Sequence, residues 1–170
     1  RMTVIILSVA YIGQMMEPVD IPETVSHGAR KSWALYGDAE SRGNLISSIL
    51  MNPQLQSGHN EMLQQKYRDI ESTVTDYETY ETEDADLVLT AFGISSRISL
   101  TVVKELRKQG HRVGLLRPKT LFPFPSIAVK ELAEAGKAFA VFELNYGMMA
   151  DDVALAVNGL SPVLRYNWLG

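Results

Sequence analysis

Two hydroxyl side chains and two arginines stand where the chain could bind an anion. Ser95, Ser96 and Arg97 follow residues 87–93, an apolar run typical of a buried strand that leads into a helix. Free backbone N–H groups at a helix start attract anions, and a neighbouring guanidinium adds charge and a fork of donors. Serine at such a position more often caps the helix, so capping is the alternative role.

Arg117 ends the next apolar run, residues 112–117. A guanidinium at a strand end can bind a carboxylate or phosphate of a ligand, or it can pair with an acidic side chain of the protein itself. Glu143, at the end of the third predicted strand, has the right charge for such a pair. We favour a structural pair between Arg117 and Glu143 over a ligand site.

The sequence contains no catalytic signature. His27, His59 and His111 are isolated from one another, so no zinc-binding spacing occurs. The turn after the first strand has the single glycine Gly93, whereas a dinucleotide-binding turn needs three, and there is neither a P-loop nor a nucleophile elbow. The absence of cysteine excludes thiolate catalysis, disulfides and cysteine-ligated clusters. We predict no catalytic residue and no metal ligand in this chain.

The loops after the second and third predicted strands are apolar and stiff. Residues 118–125 end in an alternation of phenylalanine and proline, and a stiff loop loses little conformational entropy on binding. Methionines after the third strand can adapt to a partner surface, with core packing as their alternative role. We therefore favour a subunit or domain interface over catalysis. The candidate contact residues are Phe122, Phe124, Glu143, Asn145, Tyr146, Met148 and Met149.

Strands and helices alternate from residue 86 onward, which predicts an α/β fold with a mainly parallel sheet. The predicted strands are residues 87–93, 112–117 and 137–143 with a last strand near the end, and the first helix is residues 96–109. Gly110 and Gly136 are typical of helix ends, and Pro125 suits the first turn of a helix. Ligands and partners of such sheets meet the loops at the carboxyl ends of the strands.

The first half of the chain is less regular. Residues 3–12 are apolar, but a bilayer span needs roughly 20 residues, so this run is too short to cross a membrane. We predict instead that it forms a buried strand. Residues 19–60, which begin between Pro18 and Pro22, lack sustained periodicity and are predicted to connect domains. A helix is predicted at about residues 60–80, because apolar residues recur there at helical spacing. That stripe consists of Leu63, Tyr67, Ile70, Val74 and Tyr77.

The composition is that of an ordinary globular protein. The 170 residues are 46% hydrophobic, enough for one core with an appendage. With 16 basic and 20 acidic residues the net charge is -4, which gives no support to a nucleic-acid partner. No membrane segment or signal peptide is indicated, and the absence of cysteine agrees with a cytoplasmic location. Because the chain begins at Arg1 directly before an apolar run, we expect a fragment of a longer polypeptide.

Three segments together resemble one family. Residues 13–19, 115–125 and 142–149 are similar to the alpha subunit of the 2-oxoacid:ferredoxin oxidoreductases, most of all to the 2-ketoisovalerate (3-methyl-2-oxobutanoate) type. The resemblance spans essentially the whole chain. The motifs are specific for the family and less specific for the substrate. A family member that is specific for pyruvate or 2-oxoglutarate is an alternative. A stand-alone anion- or nucleotide-binding module and a dimerisation module are the alternatives from the residues alone.

The resemblance implies a domain organisation. Residues 1–18 would be the last strand of an otherwise missing thiamine-diphosphate pyrimidine-type domain, with Gly13, Gln14 and Glu17 at its exit. Residues 19–83 would be a linker with the predicted helix. Residues 84–170 would be a three-layer transketolase C-terminal-like domain, Rossmann-like in its mainly parallel sheet.

The resemblance also implies cofactors and partners. The whole enzyme would oxidatively decarboxylate a 2-oxoacid, pass electrons to ferredoxin and pass the acyl group to coenzyme A, for which Ser95, Ser96, Arg97 and Arg117 are candidate contacts. Thiamine diphosphate and Mg would belong to the beta subunit, and iron–sulfur clusters and ferredoxin docking to the other subunits. This chain would bind no cofactor, would contact the beta and gamma/delta subunits or a second copy of itself, and would be inactive alone.

Overall fold

The computed structural model describes residues 3–21, 23–24, 28–44, 47 and 49–169. Pro22 and His27 lie outside the described residues. The chain divides into two compact units, one made of Arg1–Met15 with Arg68–Gly170 and the other of Met16–Tyr67. The helices are α1 (Ala10–Gly13), α2 (Pro53–Val74), α3 (Gly93–Lys108), α4 (Ser126–Glu134) and α5 (Met148–Val157), with a 3-10 turn at Ser41–Gly43. The strands are β1 (Tyr77–Tyr80), β2 (Leu87–Ala91), β3 (Val113–Pro118), β4 (Ala138–Glu143) and β5 (Val163–Asn167).

The larger unit is built on a five-stranded sheet in the order β1-β3-β2-β4-β5. Strands β2 to β5 pair in parallel, and β1 pairs antiparallel with β3. Along β2, Val88 packs into a core with α4 and α5, whereas Leu89 packs into a second core with α3. Because successive strand residues point to opposite faces, the helices cover both faces of the sheet. The predicted α/β fold with three layers and a mainly parallel sheet is therefore confirmed.

The long helix occupies different bounds from those predicted. It begins at Pro53, where Asn52 Oδ1 accepts the N–H groups of Gln54 and Leu55 at 3.0 Å each, and it ends at Val74. The prediction of residues 60–80 missed this asparagine cap and the proline in the first turn. Tyr77 continues the helical spacing by coincidence, and it lies in a strand instead.

Strand β1 was not predicted. Its residues pair with the second half of β3, from Tyr77 opposite Pro118 to Tyr80 opposite Leu115. The backbone of Asp76 also accepts the N–H groups of Lys119 and Thr120, at 2.9 and 3.0 Å. These bonds join residues about forty positions apart, so the local pattern that suggested a helix contained no sign of them.

The predicted buried strand at residues 3–12 does not form within this chain. Val4, Ile5, Ile6 and Leu7 are exposed, and Ala10–Gly13 forms a single helical turn. An extended segment becomes a strand only when another backbone edge satisfies its N–H and C=O groups. None of the described strands pairs with this segment.

The smaller unit, Met16–Tyr67, contains the whole of the predicted connector, residues 19–60. Its local order centres on Asp38, whose Oδ1 accepts the backbone N–H of Ser41 at 2.8 Å and which forms an ion pair with Arg30. The hydrogen bonds from Ser41, and to a smaller extent the one from Arg30, hold the pKa of the Asp38 carboxyl below its usual range. The Arg30 guanidinium lies 4.3 Å from the centre of the Tyr36 ring. The irregular sequence therefore contains a locally hydrogen-bonded turn.

Candidate functional site

The parallel strands direct their carboxyl ends to one edge of the sheet, which we call the carboxyl edge. The start of α3, the loop after β3 and the loop after β4 all meet this edge. The predicted contact residues from Ser95 onward lie on these segments or, for Arg117 and Glu143, near the carboxyl ends of β3 and β4, and the structure gives them different environments.

The first turn of α3 contains a side-chain hydrogen bond of its own. The helix begins at Gly93, earlier than predicted, and the preceding Phe92 provides no side-chain cap. Ser96 is buried, and its hydroxyl donates to the carbonyl of Gly93 at 2.7 Å. Ser95 is half-buried in the first turn. Ser96 therefore stabilises the turn from within the helix.

Arg117 pairs with Glu78 of the edge strand β1, with 3.1 Å between Nη1 and Oε2. The predicted pair with Glu143 is wrong, because β2 lies between β3 and β4 and separates the two side chains. Lys119 Nζ also lies 2.9 Å from Glu78. The hydrogen bond from Lys119, followed by the charges of Arg117 and Lys119, holds the pKa of Glu78 below its usual range. The carboxylate is therefore ionised at neutral pH.

Ser96, Arg97 and Arg117 line one cavity of about 210 Å³ between α3 and strands β1 and β3. Its other lining residues are Glu78, Thr79, Tyr80, Leu100 and Leu115. Arg97 also places Nη1 3.9 Å from the sulfur of Met15. The structure thus brings together both arginines that the sequence indicated as anion contacts, with Ser96 on the same wall.

Glu143 has a role that the sequence did not reveal. It is 2% exposed, and its carboxylate accepts the N–H groups of Met149 and Ala150 at 3.0 Å each. A carboxylate at this position satisfies free donors at the start of α5 and interacts favourably with the helix dipole. The only hint in the sequence is an acidic residue at the end of a strand, shortly before a helix.

Three further predicted contact residues stabilise the fold through a loop hydrogen bond or core packing. Asn145 Oδ1 accepts the N–H groups of Gly147 and Met148, at 2.8 and 3.0 Å, and so shapes the loop before α5. Met149 is buried in the core beneath α4 and α5, and Phe124 is partly buried against the same core. For Met149, core packing is the role that the structure shows.

Phe122, Tyr146 and Met148 remain exposed, at 84%, 84% and 75%. Trp168 follows β5 at the same edge, donates its backbone N–H to the carbonyl of Glu143 at 3.0 Å, and also exposes its side chain. We call these four residues the carboxyl-edge surface. Trp168 was not among the predicted contacts, although a tryptophan directly after a strand was the available signal.

The residues predicted at a domain exit lie near α1. Gly13 ends that helix, and Gln14 donates its backbone N–H to the carbonyl of Tyr11 at 3.3 Å. Glu17 is exposed. Val9, just before α1, packs against α3, because a Cβ placed on Gly93 would lie 2.8 Å from its Cγ2 atom.

The described part of the chain contains neither a metal-ligand cluster nor a helix that could cross a membrane. No three histidine or acidic side chains of residues 3–21, 23–24, 28–44, 47 and 49–169 come together as a ligand set. His59 lies on α2 and His111 is exposed in the turn before β3, far apart in sequence. Within the same ranges, no helix has the length and apolar character that a bilayer crossing requires.

Comparison with known proteins identifies the family. Residues 85–170 match the family described as pyruvate:ferredoxin oxidoreductase core domain II. Over its whole length the chain is 44% identical to ketoisovalerate oxidoreductase subunit VorB of Methanothermobacter marburgensis and 42% identical to VorB of Methanothermobacter thermautotrophicus. It is 27% identical, over 96% of its length, to 2-oxoglutarate synthase subunit KorA of Methanothermobacter marburgensis. The chain spans about half the length of these curated relatives, 48% of each VorB and 51% of KorA.

A solved structure supports the fold. The 2-oxoglutarate:ferredoxin oxidoreductase from Magnetococcus marinus superposes with a TM-score of 0.56 over 71% of this chain and 21% of that chain, at 17% identity. The parallel sheet with its loops at the carboxyl edge is thus an α/β fold of the kind found in that oxidoreductase. The chain belongs to the pyruvate:ferredoxin oxidoreductase core domain II family, as the resemblance of its motifs indicated.

Proposed function

We propose that this chain is part of the alpha-type subunit of a 2-oxoacid:ferredoxin oxidoreductase that acts on 2-ketoisovalerate. The observation that favours this substrate is the 44% identity to VorB along the whole chain, against 27% to KorA of the same organism. The reaction would be oxidative decarboxylation to an acyl-coenzyme A, with the two electrons passing to ferredoxin. A member specific for pyruvate or 2-oxoglutarate is the alternative.

The cofactors would be held outside this chain. Thiamine diphosphate would supply the electron sink for decarboxylation, and the Mg ion that would accompany its diphosphate requires a set of oxygen ligands. Several described carboxylates pair with cations, as Glu78 does with Lys119, Asp84 with Arg107 and Asp151 with Arg165, and no three described acidic or histidine side chains come together as a ligand set. These residues do not fit a Mg–diphosphate site, so we assign both groups to the beta subunit. Without a cysteine, the chain offers no thiolate for the iron–sulfur clusters, which we place on other subunits.

The role of this chain would be assembly and positioning. The carboxyl-edge surface presents three aromatic side chains and one methionine to solvent, types enriched where proteins meet. The loop that carries Tyr146 and Met148 is fixed by Asn145 and Glu143, so binding through these two side chains would cost little conformational entropy. We propose that the partner is the beta or a gamma/delta subunit, or a second copy of this chain, in a cytoplasmic assembly.

The exposed apolar residues near the start support a related proposal. Val4, Ile5, Ile6 and Leu7 expose between 69% and 87% of their surface, which is unusual for a run of large apolar side chains. We propose that residues 1–18 complete a strand of the thiamine-diphosphate pyrimidine-type domain, with Gly13, Gln14 and Glu17 at its exit. Residues 19–83 would then link it to a transketolase C-terminal-like domain at residues 84–170.

The substrate can be tested on the native assembly. The chain, tagged in the organism that encodes it, is purified with its co-purifying subunits, and the coenzyme A-dependent reduction of ferredoxin is measured with 2-ketoisovalerate, pyruvate and 2-oxoglutarate. We expect the highest kcat/KM for 2-ketoisovalerate and no turnover by the isolated chain supplied with thiamine diphosphate. A preference for another 2-oxoacid would overturn the substrate, and no oxidation of any 2-oxoacid would overturn the class.

A further inference from the structure

We propose that strand β5 pairs antiparallel with β5 of a second copy of this chain, so that the two sheets join into one. β5 ends the order β1-β3-β2-β4-β5, and none of the described strands lies on its outer side. An unpaired strand edge is a template on which another strand can form hydrogen bonds. The proposal rests on this edge and does not depend on the substrate of the enzyme.

The outer edge of β5 presents the backbone groups of alternate residues. Phe139 donates its N–H to the carbonyl of Pro162 at 2.9 Å, and Trp168 donates its N–H to the carbonyl of Glu143 at 3.0 Å. Because successive residues direct their N–H and C=O groups to opposite edges of a strand, the even-numbered residues of β5 bond to β4. The residues whose backbone groups point outward are Val163, Arg165 and Asn167.

One face of this edge strand is apolar and poorly covered. Leu164 and Tyr166 lie opposite Ala140 and Phe142 of β4, on the face of the sheet that packs against α3. Tyr166 stacks on the ring of Phe142, with 4.9 Å between the ring centres, yet it remains 50% exposed and Leu164 remains 46% exposed. Exposed edges are usually blunted by lysine, proline or a bulge, and Val163–Asn167 contains none of these.

The sequence of β5 is complementary to itself in one register. A two-fold axis at Tyr166 would place Leu164 opposite Trp168 of the second copy, and Arg165 opposite Asn167. Each such pair of Arg165 and Asn167 would exchange two N–H···O bonds through the outward groups. Large apolar side chains would face each other between these pairs, an arrangement that stabilises antiparallel strands.

The charges of β5 favour a second copy and select this register. Arg165 is the one charged residue of the strand, and its Nη1 lies 2.6 Å from Oδ1 of Asp151 on α5. Its charge is therefore neutralised within its own chain, on the face opposite to Leu164 and Tyr166. An axis at Arg165 would instead set two guanidinium groups opposite each other, and like charges at directly opposed positions destabilise a strand pair.

The pair should be weak in the isolated chain. Two strands of five residues bury less than the roughly 1,200 Å² of stable complexes, so we expect a dissociation constant on the order of 100 µM. Sedimentation equilibrium of the folded chain, at concentrations up to about 1 mM, measures this constant.

Substitution of Tyr166 tests the register, because the axis brings this residue against its own copy. We expect at least about tenfold weaker dimerisation for Tyr166→Lys and for Tyr166→Glu alone, since each places like charges in contact. An equal mixture of the two variants should recover the dimer, because lysine then faces glutamate. Ile127→Lys is the matched control, since Ile127 is 76% exposed on α4, and it should dimerise as wild type.

A second readout uses the unaltered chain. In hydrogen exchange followed by NMR, the amides of Arg165 and Asn167 should exchange more slowly as the concentration rises, because they become hydrogen-bonded between the copies. The amides of Leu164 and Tyr166 already face β4 and should not change. The proposal is overturned if the chain is monomeric at about 1 mM, if the mixed variants do not recover the dimer, or if the amides of Arg165 and Asn167 gain no protection.

Discussion

The buried carboxylate of Glu143 accepts the backbone N–H of Met149 across 3.0 Å. This bond closes the loop between β4 and α5 and fixes the start of the helix. The two adjacent methionines, which looked alike in the sequence, have different environments. Met149 is buried in the core, whereas Met148 is exposed to solvent. The segment that carries Tyr146 and Met148 of the carboxyl-edge surface therefore has a defined conformation.

Replacing Glu143 should destabilise the fold. In Glu143→Gln, the carboxamide NH₂ group would face backbone donors in place of an acceptor, so one of the two bonds is lost in a buried site. We expect a loss of about 1–3 kcal/mol in the free energy of unfolding, measured with a chemical denaturant. Glu134→Gln on the exposed end of α4 is the control and should leave the unfolding curve in place. Equal curves for both variants would show that the cap contributes nothing.

Gly114 is required by the close approach of another backbone. A Cβ at this position would lie 2.6 Å from the carbonyl oxygen of Glu81 and 2.9 Å from Cα of Thr82, and neither backbone atom can rotate away. Gly114→Ala should therefore cost about 1–3 kcal/mol of stability through overpacking. Gly58→Ala, with open space inside α2, should instead stabilise the helix by about 0.5–1 kcal/mol. Thermal and denaturant unfolding of both variants would check the opposite signs.

Arg107 connects three parts of the chain. Its Nη1 and Nη2 donate to Asp84 at 2.8 Å each, Nη2 also donates to the carbonyl of Glu81 at 2.6 Å, and Nε donates to that of Val113 at 2.7 Å. Arg107→Lys keeps the charge but loses this planar set of donors. We expect a lower unfolding temperature at pH 7. Arg112→Lys, whose ion pair with Asp86 is more exposed, should cause a smaller decrease.

The effect of Arg107 should depend on pH. The hydrogen bond from Arg107 holds the pKa of Asp84 below its usual range, so the folded state binds this proton less tightly than the unfolded state does. The stabilisation is complete above the unfolded pKa of about 3.9 and is lost as the pH falls through the lower folded value. The difference in unfolding temperature between wild type and Arg107→Lys should shrink accordingly. A difference that stays constant down to the acid limit would contradict this origin.

Features set by local sequence were predictable, and features set by distant pairing were not. The alternation of β2 to β5 with α3 to α5 follows from apolar runs and from glycines such as Gly110 and Gly136, both with positive φ at helix ends. In contrast, β1 exists because Asp76 to Tyr80 meet β3, and a local helical spacing concealed it. The partner of Arg117 depended on strand order, which is a property of the whole sheet.

The candidate site was predictable in part for the same reason. Arg97 and Arg117 could be chosen by charge and by their position at strand ends, and both line the cavity. Tyr80 and Glu78, on the unpredicted strand, could not be placed beside them. At the carboxyl edge, residue type alone did not distinguish the exposed Phe122 from the partly buried Phe124.

The role proposed for this chain is to contribute contacts at its carboxyl edge and not reaction chemistry. Phe122→Ser combined with Tyr146→Ser should leave the chain folded, since both side chains are 84% exposed. Leu155→Ser combined with Leu160→Ser is the matched control, because these exposed leucines lie toward the far end of α5 and in the turn that follows it.

The decisive measurement is the yield of co-purified subunits in the tagged native assembly, together with kcat and KM for 2-ketoisovalerate in whatever assembly forms. The account predicts that the edge variant loses most of its partner subunits while the remaining assembly keeps an unchanged KM, and that the control behaves as wild type. Full assembly without turnover, or full assembly with normal turnover, would contradict it.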